Sequence, residues 1–140
     1  MRIKLFFGVI FTYILLTGCE DIEECNLEYY LQTDAPTLIE TNGYYRLKFL
    51  PEYVQTFATL RAKTGSFDEY QKVKWIANKH MLINNIHTDI INGSSYTDEA
   101  GEAFTVLGVY EQLIGDTITV YCGYNNMCYN FIDSLKVIIE

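Results

Sequence analysis

The chain has 140 residues and a formal charge of −8, with 49% hydrophobic and 15% aromatic residues. That length gives one domain of ordinary size, and that apolar content excludes an intrinsically disordered chain. Ten Lys and Arg against eighteen Asp and Glu exclude a nucleic-acid surface, which needs clustered cations over phosphates.

The chain begins with basic Arg2 and Lys4, followed by the nearly unbroken apolar run Leu5–Leu16 and then Thr17-Gly18-Cys19. The run is too short to cross about 30 Å of hydrocarbon, so it reads as a secretory signal peptide rather than a membrane span. Leu16-Thr17-Gly18-Cys19 resembles the lipobox of bacterial lipoproteins. The resemblance implies cleavage before Cys19, acylation of Cys19 and attachment to an envelope membrane, with residues 1–18 as the signal. Losing Arg2 and Lys4 takes the charge from −8 to −10. A chain this acidic is repelled by anionic headgroups, so the lipid must supply the attachment.

Glu20-Asp21-Ile22-Glu23-Glu24 follows the cysteine directly. One reading is a solvated acidic linker. The other is a resemblance to the surface-export tethers of lipoproteins in one Gram-negative lineage, which implies an outer-membrane, cell-surface location. Residues 19–36 are expected to be flexible tether, with Ala35-Pro36 as the boundary and 37–140 as the folded domain.

Twelve Tyr and eight Phe against two Pro favour strands. From Thr37 on, short alternating segments are separated by turn signals. Leu38-Ile39 runs into the Asn42-Gly43 turn; Tyr45, Leu47 and Phe49 then alternate with polar neighbours until Pro51. Ala58, Leu60 and Ala62 form a second strand ending near Gly65, and Val73, Trp75 and Ala77 a third. Met81-Leu82-Ile83 and Ile90-Ile91 are shorter apolar pieces, with Asn92-Gly93 a turn after the latter. Phe104–Val109, then Ile118, Val120 and Cys122, then Leu135, Val137 and Ile139 complete the series. About seven strands without a helix of ten residues predict an all-β, two-sheet sandwich, with Trp75 filling the space between the sheets.

Thr97-Asp98-x-x-Gly101-x-Ala103, followed after a dozen residues by Gly115-x-Thr117-x-x-Val120, resembles a signature of bacterial immunoglobulin-like domains. The resemblance implies an immunoglobulin-like sandwich, in which Asp98 caps a turn and Gly101 takes positive φ. Such domains act as spacers, adhesin repeats and accessory modules, so the fold implies little about chemistry. The usual inter-sheet disulfide and tyrosine corner of immunoglobulin domains have no counterpart here.

With Cys19 lipidated, Cys25, Cys122 and Cys128 remain, an odd number. A Cys122–Cys128 bridge closing a hairpin, a Cys25 bridge to either, and no bridge are the three readings, the first favoured. His80 and His87 read as solvated loop residues near Asp89; their spacing is not that of a metal site. Asp68-Glu69 and Asp89 lack the regular Asp-x-Asp pattern of a calcium loop. Ser94-Ser95 has no nucleophile-elbow context, and adjacent carboxylates in strands point to opposite faces. No catalytic residue, metal or cofactor is therefore expected. Tyr44, Tyr110, Tyr121, Tyr124 and Tyr129 are placed outward or in the 123–127 turn. The leading expectation is a non-catalytic, membrane-anchored envelope lipoprotein that contacts a protein partner. The alternative is a small carbohydrate-binding module using Tyr121, Tyr124 and Tyr129, since tyrosine rings stack on sugars as well as anchoring interfaces.

Overall fold

The computed structural model describes residues 30–65, 70–125 and 130–140. The signal segment, Cys19, the acidic run, Cys25, Asp68-Glu69, Cys128 and Tyr129 lie outside the described residues. Alternating sequence produces alternating burial in the longer central strands. Eleven strands form among the described residues: β1 (Leu31–Asp34), β2 (Ile39–Thr41), β3 (Tyr44–Leu47), β4 (Thr56–Thr64), β5 (Lys72–Ala77), β6 (His80–Ile83), β7 (Ile86–Asp89), β8 (Ser94–Tyr96), β9 (Glu102–Val109), β10 (Thr117–Asn125) and β11 (Asn130–Ile139). The one helical element among them is a single 3₁₀ turn at Glu111–Leu113.

The protein is an all-β sandwich. One sheet has the order β1-β4-β9, the other β2-β3-β11-β10-β5-β8, and β6-β7 is a separate hairpin. Pairing is antiparallel except for β3 beside β11, which is parallel. In β4 the residues Ala58, Leu60 and Ala62 are buried, and they face Val73, Trp75, Ile118, Val120, Cys122, Leu135, Val137 and Ile139 of the larger sheet in one core. Trp75 fills the inter-sheet space as its bulk requires, and its ring N–H donates to Ser95 Oγ at 2.8 Å. Asp98 caps its turn as the motif implies: Oδ1 accepts from the backbone N–H groups of Ala100 and Glu102, and Gly101 has φ 72°.

Three expectations change. The domain begins before Pro36, because Leu31–Asp34 pairs with Thr64–Arg61 and Ala35 is buried. Thr33 donates from both its N–H and its hydroxyl to Asp133, tying this strand to β11 of the opposite sheet. The polar stretch around His80 and His87 is a hairpin rather than a loop, with Asn84 and Asn85 both at positive φ in the turn. Strand count rises from about seven to eleven because this hairpin, β1 and several other segments of three or four residues pair as well.

Candidate contact surface on the six-stranded sheet

In β10 and β11 the inward residues pack the core, and their neighbours necessarily point to solvent. The register places Tyr121 opposite Ile76 of β5 and Ser134 of β11, and Gly123 opposite Lys74 and Ile132. Ile132 is 78% exposed, Ile76 65% and Tyr121 46%, so three large side chains form an apolar strip on the outer face. Gly123 opens its floor: a Cβ there would sit 3.3 Å from the Phe131 carbonyl oxygen. A shallow hollow of about 330 Å³ results, lined among the described residues by Lys74, Ile76, Tyr121, Asn125, Asn130 and Ile132 and others of the hairpin.

Cations surround this strip. Lys72 and Lys74 project from β5 on the same face, Lys136 from β11, and Arg46 from β3 beyond it. Lys136 lies 5.5 Å from the Tyr44 ring centre, and Arg46 pairs with Glu140. Lys72 and Lys74 have no ion-pair partner among the described residues. In a chain of charge −8, this is a local reversal of sign.

The expected ligand tyrosines divide. Tyr121 is exposed on this face. Tyr124 is not a surface residue: it is 2% exposed, stacks on Phe131 with ring centres 4.8 Å apart, and donates its hydroxyl to the Tyr30 carbonyl. The physical reason is phase, since β10 continues through Gly123 to Asn125 and puts Val120, Cys122 and Tyr124 on one inward side. Tyr110 is likewise half-buried against the core. Tyr129 lies outside the described residues.

Cys122 is a free, buried thiol whose cross-strand partner is Asp133. Burial pushes its pKa up to about 12, with the Asp133 charge adding to the shift. It is protonated and inert at neutral pH. Cys128, the other half of the favoured bridge, lies outside the described residues.

His80 and His87 meet across the hairpin with ring centres 4.3 Å apart, and His80 pairs in register with Asp89. Among the described residues no group of three or more His, Cys, Asp or Glu is placed to hold a metal ion. Ser95 serves Trp75, and Asp98 serves its turn.

Sequence reasoning missed Ile76 and Ile132. The signal for Ile76 was available, because it is apolar at the solvent phase of its strand, between Trp75 and Ala77 already assigned inward; Ile132 lies upstream of the alternation read from Leu135 onward. No protein-family model matches the chain, and no curated protein or solved structure shows significant similarity to it.

Proposed function

We propose that the chain is a non-catalytic, lipid-anchored envelope lipoprotein whose sandwich domain is a protein-interaction or accessory module, held at Cys19 on the outer membrane and facing the cell surface. The lipobox and the acidic run after it support the anchor and the location. Strand order supports an immunoglobulin-like type: β1-β4-β9 corresponds to the A, B and E strands, and β11-β10-β5 to G, F and C.

The observation that carries the interaction reading is the strip Ile76–Tyr121–Ile132 with Lys72 and Lys74 beside it. Apolar side chains exposed as a group mark contact sites, whereas scattered ones do not. An aromatic and aliphatic centre with a charged rim is the anatomy of a protein interface. The rim here fits a partner that presents carboxylates, which would speed encounter and fix orientation.

Cross-linking the full chain in intact cells tests this. A membrane-permeant and an impermeant reagent are used in parallel, with neighbours identified by mass spectrometry. The expected result is one envelope protein captured by both reagents from wild type, and lost from Ile132→Asp at equal expression. Cys19→Ser should release the protein from the membrane fraction. Capture that is unchanged in Ile132→Asp overturns the assignment of the surface. Capture by the permeant reagent alone overturns the cell-surface location.

A further inference from the structure

A second surface, at the β8 edge of the same sheet, holds a larger cleft of about 600 Å³, lined among the described residues by Tyr70, Tyr96, Thr97, Asp98, Glu99 and Ala100. Tyr70 is 77% exposed and Tyr96 56%, so both rings offer uncovered faces. Neither belongs to the Ile76–Tyr121–Ile132 strip.

The two tyrosines are held rather than loosely displayed. Tyr70 has φ 63°, a left-handed conformation that bulky side chains rarely adopt without support. Three hydrogen bonds supply that support by clamping residues 70 and 71 to Thr97. The Tyr70 N–H donates to the Thr97 carbonyl at 2.9 Å, and the Gln71 N–H to Thr97 Oγ1 at 2.8 Å. The Thr97 N–H donates in return to the Gln71 carbonyl at 3.0 Å. Thr97 itself is buried. A clamp of this kind fixes the backbone beneath both rings, so that a ligand has only their side-chain rotamers to order.

Carboxylates stand beside the rings. Asp98 is fixed by two backbone donors on Oδ1, which leaves Oδ2 without a donor among the described residues. Glu99 is exposed beside it. An anionic guest would be repelled by Asp98 and Glu99. A neutral polyhydroxylated guest can donate to the carboxylates and lay its C–H faces on the tyrosines.

We propose that this cleft binds a neutral sugar residue of a glycan, with Tyr70 and Tyr96 as stacking platforms and Asp98 and Glu99 as hydroxyl acceptors. The assignment moves carbohydrate recognition away from the 121–129 hairpin and does not depend on the protein-contact strip.

Affinity electrophoresis of the full chain in detergent tests it, in gels cast with a β-glucan, an α-glucan, a mannan or a xylan. At least one neutral polysaccharide should retard wild type. Tyr96→Ala should weaken retardation about tenfold, the scale of one lost aromatic platform, and Glu99→Gln should weaken it less. Tyr121→Ala and Ile132→Asp should leave it unchanged, which separates failure of this site from failure of the contact strip. Tyr96 lies on a short exposed strand, so its variant stays informative even if Tyr70→Ala unfolds. The proposal is overturned if none of these polysaccharides retards the protein, or if Tyr96→Ala binds like wild type.

Discussion

The outer faces of the two sheets use charge in opposite ways. On the three-stranded sheet, Arg61 of β4 is gripped from both sides: Nη2 lies 2.6 Å from Asp34 of β1 and Nη1 3.3 Å from Glu102 of β9, while Lys63 lies 3.6 Å from the same glutamate. The hydrogen bond to Asp34 raises the Arg61 pKa above its already high ordinary value. Every strand of that sheet contributes, so the ions hold the sheet's own edges together. On the six-stranded sheet, Lys72 and Lys74 stand beside exposed Ile76 and Ile132 and form no ion pair among the described residues. Charges matched inside the fold contribute to stability, and charges left unmatched beside apolar side chains are available to a partner. Substitutions on the first face should therefore read out as stability, and those on the second as binding.

Cys122 lies on the buried side of the large sheet, directly beneath the strip of Ile76, Tyr121 and Ile132. The folded thiol keeps its proton up to about 12, whereas an unperturbed thiol releases it near 9.0. Below pH 9 the full contribution to stability is present. As pH rises from 9 toward 12 the unfolded chain binds fewer protons than the folded one, and stability falls. The slope is about 1.4 kcal/mol per pH unit, roughly 4 kcal/mol at most across the window. Tyr45, also raised chiefly by burial, pulls in the same direction. The check is therefore the difference between wild type and Cys122→Ala in urea midpoints measured under reducing conditions. That difference should shift steadily in favour of the variant above pH 9, and parallel curves would mean that the thiolate is solvated in the folded state.

The next effect belongs to the paired face. Arg61→Ala leaves Asp34 and Glu102, each about a quarter exposed, facing each other across β4 without their shared cation. Charged hydrogen bonds at a partly exposed site suggest a loss of roughly 1–2 kcal/mol, discounted for solvent screening. Because β1 has only four residues, protection of the Thr33 amide in hydrogen exchange should drop more than that of the β10 amides. Uniform loss across both sheets would show that Arg61 acts on global stability rather than on this edge.

These two faces were legible to different degrees in the sequence, and the reason is range. Alternation is local, so Ala58/Leu60/Ala62, Ile118/Val120/Cys122 and Leu135/Val137/Ile139 could be assigned inward from spacing alone, and all are buried. Tyr124 obeyed the same phase but was concealed by Gly123, which looks like a turn residue and is in fact strand. The Asn84-Asn85 turn was concealed in a similar way, its signal weaker than the Asn-Gly pair that marks β2–β3. β1 was illegible for a deeper reason. Leu31-Gln32-Thr33-Asp34 carries no apolar alternation, and its partners Arg61 and Asp133 are 27 and 100 residues away. The Tyr70–Tyr96 cleft is equally non-local, since nothing at either position announces the Thr97 clamp that joins them.

The smallest stability effect is expected where the binding effect is largest. Lys72 and Lys74 are two residues apart on one strand face, so their ammonium groups repel weakly and have no carboxylate to offset them among the described residues. Replacing both with alanine should leave thermal stability within about 0.5 kcal/mol of wild type. The same double variant should cross-link the partner less, and the residual capture should respond less steeply to salt, because fewer charges remain to be screened. Wild-type capture should decline as salt rises, whereas Ile132→Asp should fail at every salt concentration. That contrast would separate the two halves of the proposed surface, an apolar strip that supplies contact area and lysines that supply attraction and orientation. A salt-independent wild type would reduce the cations to spectators and leave the apolar strip as the whole of the interface.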